Sequence, residues 1–348
     1  MKISILLPYK ENFSPKYPGA VSIFLKDTIK FSKFKKKILV FGNTNFKKKF
    51  IKAYKNLNFK SSFLQSRSKL YLNKFIEYEK KSRSSLIEIH NRPDYVNKLF
   101  SINENIVLYF HNNPIDMKSS KSFNERINLI NKTKKIIFNS KWTKKKFTRG
   151  LKLNNVLKNK LHIIYQSTSL KKINFKKKKN YIIFVGRLNN SKGYDVFGKA
   201  VLKILDKYPD WKAVVIGDEP REKIKFYHKR LNILGFLNHN KVSKWFIKSQ
   251  ISVVCSRWDE PFGRTALEAS SSGCAVIITN RGGLPEAAPN AIKINNLSVN
   301  SVKSAIEKLI KNKILRNKIQ KKSFKNFYLT NSLISNKIDK YRDELIKS

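Results

Sequence analysis

From residue 181 onward, apolar and polar blocks alternate along the chain. "YIIFVG" (181–186) is a continuous apolar run closed by glycine, the pattern of a parallel strand buried on both faces. A helical periodicity follows over 194–207. Then come "WKAVVIG" (211–217), a polar helix, "LNILGF" (231–236) and an amphipathic helix ending near Ser249. "ISVVC" (251–255), a further helix and "AVIIT" (275–279) complete the series. Strand and helix in strict alternation predict a doubly wound parallel sheet, whose ligands sit at the carboxyl ends of the strands.

The first half follows the same style less regularly. Its strand candidates are "KISILLP" (2–8), "KKILVFG" (36–42), "SLIEI" (85–89), "NIVLYF" (105–110) and "KKIIFN" (134–139), with helical patterns between them. The predicted organisation is an N-terminal domain over 1–170, a lysine-rich solvated linker at 171–180 and a second domain over 181–330. A terminal amphipathic helix over 331–348 packs back on the first domain. Two α/β domains of the doubly wound, Rossmann-like kind, facing a central cleft, are the expected fold class.

Composition changes this picture in one respect. The 348 residues contain 74 Lys and Arg against 23 Asp and Glu, a net charge of +51. Such a field attracts polyanions: nucleic acid, anionic lipid or phosphorylated substrates. AT-rich coding, which favours Lys, Asn and Ile together, is the competing explanation of the lysine excess. It explains the scarcity of acids less well, so an acid in a loop stands out. The two cysteines, Cys255 and Cys274, lie in apolar runs and read as buried small hydrophobes, as in a reducing compartment. "MKISILLPYKEN" has too short an apolar run for a signal peptide, and no stretch approaches a membrane span of about 20 apolar residues. A cytoplasmic protein is expected, either free or held peripherally on the inner face of the cell membrane.

Two stretches carry candidate chemistry. "DEPFGRTALEASSSG" (259–273) reads as a strand-end loop and a helix stopped by Gly273. Glu260 then lies in the loop and Glu268 in the helix. Eight helical residues would separate them by about 12 Å. Glycosidase carboxylate pairs stand about 5–9.5 Å apart, so a shared acid/base role is disfavoured. Two grips on an elongated ligand with hydroxyls at both ends fit better, and so does an ordinary loop followed by an ordinary helix. Gly263 opens the helix start to close approach by a ligand, where the helix dipole favours negative charge. In "FVGRLNNSKGYD" (184–195), a strand ends at Gly186, and Arg187 and Lys192 follow it. Two cations at a strand's carboxyl end can neutralise a diphosphate.

Together, "GRLNNSKG", "WKAVVIGDEP" and "EPFGRTALEASSSGCAVIITNRGGLPE" resemble the retaining glycosyltransferases of family 4, glycosyl transferases group 1, with the GT-B fold. The resemblance is strong over about 180–290 and weaker over the N-terminal half. It implies that Arg187 and Lys192 hold the nucleotide diphosphate, that Glu268 binds the ribose hydroxyls and that Glu260 contacts the donor sugar. Phe262, Gly263 and Arg264 would offer backbone contacts, and Gly186 and Phe236 would line the nucleotide. Gly19, in "PYKENFSPKYPGAVSIFLKD", matches the first-loop glycine, although one Pro-Gly-Ala stands where many members have two adjacent glycines. His111 in "LYFHNNP" matches a histidine facing the donor sugar, and His90 in "IEIHNRPDY" falls on the acceptor side.

The chain contains no Asp-x-Asp, so the divalent-metal diphosphate site of the other major glycosyltransferase fold is missing. The resemblance therefore implies a metal-independent, retaining transfer with no cofactor. The donor would be a UDP-, GDP- or ADP-sugar and the acceptor a saccharide or lipid-linked saccharide, in cell-surface polysaccharide or lipopolysaccharide synthesis. An anionic membrane surface is a further partner, and no specific nucleic acid is expected. The alternatives are a basic nucleic-acid-binding protein and a nucleotide-sugar epimerase on the same fold. The first lacks support, because the lysines are spread over the whole chain and no nucleic-acid module is present.

Overall fold

Among the described residues, thirteen short strands carry the apolar runs, and every strand pairing is parallel. The computed structural model describes residues 1–222 and 224–347. It divides into two compact units, Met1–Ser167 with Asn331–Ser348, and Thr168–Thr330.

The first unit holds β1 (Ile3–Leu6), β2 (Ile38–Gly42), β3 (Tyr54–Asn56), β4 (Leu86–His90), β5 (Ile106–Phe110), β6 (Lys135–Phe138) and β7 (Leu161–Ile163). They form one sheet in the order β3-β2-β1-β4-β5-β6-β7. Ile3 pairs with Ile38 on one side and Leu86 on the other, so the order reverses at β1. The core is aromatic, with Phe41, Phe75, Phe110, Phe138 and Phe147 in one cluster.

Asn331–Lys347, a helix, belongs to this unit; Ser348 of the predicted terminal helix lies outside the described residues. The helix brings Arg342 against Glu88, a carboxylate in the fully buried β4. Arg342 Nε and Nη2 donate to the two carboxylate oxygens at 2.8 Å each. Asp339 and Ser32 complete the cluster. Burial works against the Arg342 charge, but Glu88 outweighs it and holds the guanidinium protonated.

The second unit holds β8 (Lys179–Val185), β9 (Lys212–Ile216), β10 (Leu231–Ile233), β11 (Ser249–Val254), β12 (Ala275–Thr279) and β13 (Ile292–Ile294), in the order β10-β9-β8-β11-β12-β13. The order reverses between β8 and β11. In an open α/β sheet this crevice is the expected ligand position. Ile182, Phe197, Val215, Val253 and Ile306 are among its core residues.

Two expectations fail here. The predicted polar helix after β9 does not form among the described residues of 218–230. Ile224 and Phe226, two positions apart, both turn onto the core, an extended rather than a helical spacing. Phe226 sits edge-on to Tyr194 at 5.5 Å. The lysine run at 171–180 is also not uniformly solvated. It lies inside the second unit, and Lys178 is buried with its ammonium against four main-chain carbonyls. Both cysteines are buried and free, as expected.

Candidate functional site

The site of the second unit grows from the loops after β8 and β11, the neighbours at the crossover. After β8 the chain makes a short turn in which Asn189 Oδ1 accepts from the Lys192 amide at 3.0 Å. Gly193 then opens the helix Tyr194–Lys207 with φ of +72°, a backbone that disfavours any side chain. A Cβ there would also stand 1.9 Å from the Cys255 carbonyl oxygen. The β11 loop is tied to this turn. The amides of Arg257 and Trp258 donate to the Ser191 carbonyl at 2.9 and 3.2 Å. The Arg257 guanidinium grips Asp195 through two 2.6 Å bonds. This fork fixes one loop against the other, as paired Arg–carboxylate geometry does.

The clamp brings Lys192 and Glu260 into contact, Nζ on Oε1. Glu260 also accepts from Ser256 Oγ at 3.0 Å, and its carbonyl accepts from the Gly283 amide at 2.7 Å. The Lys192 ammonium lies 5.3 Å from the centre of the Trp258 ring. Lys192 and Glu260 line a small cavity of about 100 Å³, together with Gly186, Ser256, Gly263 and Arg264. Gly263 precedes the helix Arg264–Ser271 with φ of +107°, and a Cβ there would meet Leu284 at 2.5 Å.

One helical turn further on, Glu268 accepts from Arg264 Nε at 2.7 Å and stands 2.9 Å from His239 Nε2. Burial alone would raise its pKa, but Arg264 and His239 overcome this and hold it at about 2. The carboxylate is a fixed anion.

Five predicted residues therefore meet at one cavity: Gly186, Lys192, Glu260, Gly263 and Arg264. Arg187 is exposed at the same strand end and makes no hydrogen bond or ion pair among the described residues. Phe262 is only 1% exposed, so its side chain serves packing. Phe236 follows β10 and is 41% exposed. Sequence reading missed His239, Ser256, Asp195 and Arg257.

In the first unit, Gly19 caps the helix Ala20–Ile29. The space it leaves is taken by Glu11. A Cβ on Gly19 would lie 2.3 Å from Glu11 Oε1, which accepts from the Ser22 amide at 2.9 Å. Burial pushes the Glu11 carboxyl up, against the hydrogen bonds from Ser22. His90 closes β4 and His111 follows β5, with Nδ1 of the first 2.9 Å from Nε2 of the second. His90 is fully buried and stacks on Tyr109 at 4.4 Å. As it stands, it offers no surface to an acceptor, contrary to expectation; what it touches is His111.

Among the described residues, no group of three or more His, Cys, Asp or Glu side chains is gathered as a metal site needs. No described helix is long and apolar enough to cross a membrane.

With two parallel α/β sheets and a polar site at the crossover of the second, the chain has the architecture of GT-B glycosyltransferases. Anabaena Alr3699/HepE, solved in complex with UDP, superposes with a TM-score of 0.76 at 17% identity, over 99% of this chain and 100% of that one. Residues 166–326 match the family Glycosyl transferases group 1 and form a domain of that kind. Spore coat protein SA of Bacillus subtilis (strain 168) is 31% identical over 121 residues, which are 31% of this chain and 32% of that protein. The 2-deoxystreptamine N-acetyl-D-glucosaminyltransferase of Niallia circulans is 32% identical over 112 residues, 30% of this chain and 28% of that protein. These matches thus span about a third of the curated relatives' length.

Proposed function

We propose that the chain is a retaining glycosyltransferase of family 4, which moves a sugar from a nucleotide-activated donor to a saccharide or lipid-linked acceptor without a metal ion. The observation that carries this reading is the contact of Lys192 with Glu260 at the crossover of β8 and β11, beside the solvent-facing Arg187. A diphosphate entering there takes Lys192 as its counter-ion and meets the Arg187 fork. Glu260, released, accepts from a donor-sugar hydroxyl. Glu268 accepts from the ribose hydroxyls, and the amides at the start of the helix Arg264–Ser271 face the phosphate. UDP in the HepE complex makes a UDP-sugar the first donor to test.

In the transfer, the bond from the anomeric carbon to the phosphate oxygen breaks while the acceptor oxygen bonds that carbon on the same face. The acceptor proton passes to the departing phosphate. The fixed cations stabilise the negative charge as it develops, which is where electrostatic preorganisation acts. The setting that fits the acceptor class is cell-surface polysaccharide or lipopolysaccharide synthesis at the cytoplasmic membrane face, to which the positive charge would draw the protein.

A panel of UDP-, GDP- and ADP-sugars, read by melting temperature and by donor hydrolysis, tests the proposal. One nucleotide series should raise the melting temperature, and its sugar should be released slowly without acceptor. No shift with any nucleotide or nucleotide sugar would remove the reading.

A further inference from the structure

A hollow of the first unit has no part in the site just described. It is a cavity of about 690 Å³ at the carboxyl ends of β1, β2 and β4, where that sheet reverses order. Among the described residues, three cations line it, Lys10, Arg67 and Arg92, and no carboxylate does. The chain's high charge does not explain this lining. The sequence has 61 lysines and only 13 arginines, yet two of the three cations here are arginine. Arginine is the side chain that meets carboxylate and phosphate as a planar fork.

Arg92 is already positioned. Its guanidinium lies 4.4 Å from the centre of the Tyr95 ring and bonds Asp94 at 2.7 Å and Ser68. Asp94 offsets one charge, so the lining stays positive through Lys10 and Arg67. Neither of these has a hydrogen bond or ion pair among the described residues. Asn12, Asn43 and Asn45 supply amide donors and acceptors of the kind hydroxyls need. Tyr9, braced on Phe59 at 5.8 Å and Tyr71 at 5.7 Å, gives a firm apolar wall. A second hollow of about 310 Å³ shares Tyr9, Asn43, Asn45 and Arg67 and adds Asn58 and Phe59, so the groove is longer than one pocket.

We infer that this groove binds the acceptor and that the acceptor is an acidic saccharide, bearing either a uronic carboxylate or a phosphate ester. The acceptor role rests on the transferase reading; the acidic-sugar site does not.

Binding of glucose, glucuronic acid, glucose 6-phosphate and inorganic phosphate to the full chain, by ligand-observed NMR at physiological salt, tests it. At least one acidic sugar should bind about tenfold or more tightly than glucose, the effect of one charged hydrogen-bonded contact. It should also bind more tightly than inorganic phosphate. Arg67→Gln, at an exposed helix position, should remove most of that preference, and Arg92→Gln should do the same. UDP affinity, measured on the same samples, should not change. Preference for glucuronic acid assigns a uronic acid and preference for glucose 6-phosphate a phosphorylated sugar; either supports the site. Glucose binding as tightly as both acidic sugars would overturn it, as would inorganic phosphate binding as tightly as they do, or an undiminished preference in both arginine variants. Nucleotide binding without acidic-sugar binding would sink this site alone. Acidic-sugar binding without nucleotide binding would sink the transferase reading alone.

Discussion

His90 and His111 share one hydrogen bond, 2.9 Å from Nδ1 to Nε2, between the ends of adjacent parallel strands, and both rings are buried. One proton lies between them, so one ring donates and the other must accept. Burial holds His111 neutral down to about pH 3 and, with His111 and Arg342 nearby, lowers His90 well below the ordinary range. Between that range and about 6.5, the unfolded chain binds protons that the folded chain does not. Stability therefore rises with pH through this window and is lost as pH falls below about 6.5, by up to about 1.4 kcal/mol per pH unit for each histidine. The double variant His90→Gln/His111→Asn should flatten the acid limb of melting temperature against pH between 6.5 and 5. An unchanged slope would mean the pair does not set it.

Glu268 is held ionised by Arg264 and His239, so it keeps its charge down to about pH 2. Glu268→Gln should raise the nucleotide dissociation constant about 10- to 100-fold, the loss of one or two charge-assisted hydrogen bonds. It should leave the acid-sugar affinity of the first unit unchanged. Titration calorimetry with the nucleotide identified by the donor panel reads this directly, and wild-type affinity would remove Glu268 from the nucleotide site.

What was legible in the sequence follows from which groups meet locally. β1, β2, β4, β5, β6, β8, β9, β11 and β12 stood out because burial on both faces leaves continuous apolar runs. β3, β7 and β13 did not. Each has three residues and lies at a sheet edge, with half-exposed positions that break the run. β10, also at an edge, is shorter than "LNILGF" suggested. Glu260 and Lys192 were legible as separate candidates, but not as a pair. Sixty-eight residues separate them, and the Arg257–Asp195 fork that joins their loops has no local signature. His239 was invisible for the same reason.

Lys192 and Glu260 should separate in kinetics. Lys192→Ala removes a cation facing the leaving group in the proposed mechanism and should lower kcat by about 10²–10³-fold. Glu260→Ala should lower turnover while leaving nucleotide affinity within a few-fold of wild type, because the nucleotide is held by other groups. Steady-state rates with the active donor, beside binding of the free nucleotide, separate the two effects. If Glu260→Ala weakened the nucleotide as much as Glu268→Gln does, Glu260 would belong to the nucleotide and not to the sugar.

Arg342 and Glu88 test the seating of the last helix on the first unit. Glu88→Ala leaves a buried guanidinium without its main partner, which costs about 3–5 kcal/mol. Replacing the pair together with Glu88→Leu and Arg342→Met should cost less than the Glu88 change alone, because no unpaired charge remains buried. Urea unfolding of the three variants gives the comparison. A double variant as unstable as the single one would mean the cluster contributes by its net attraction, not by mutual compensation.

Lys178 is the sharpest case of a position that composition hides. It is the third of four consecutive lysines, and its neighbours Lys176, Lys177 and Lys179 are exposed. Its ammonium lies within 3.3 Å of the carbonyls of Phe246, Ile247, Ser249 and Ser272. These carbonyls end two helices, His239–Lys248 and Arg264–Ser271, where orphan acceptors and the helix dipoles both favour a cation. Burial lowers the Lys178 pKa, and that cost is offset only because three N–H donors meet four acceptors. Lys178→Met keeps the aliphatic stem but strands the carbonyls, and should cost about 2–4 kcal/mol. Lys177→Met, one residue away and exposed, should change stability by no more than about 0.5 kcal/mol. Both helices lead into the site, His239 on one and Arg264 with Glu268 on the other. The Lys178 variant should therefore also weaken nucleotide binding, with the Lys177 variant unaffected. Equal stability of the two variants in thermal unfolding would place Lys178 back among the solvated lysines of its run.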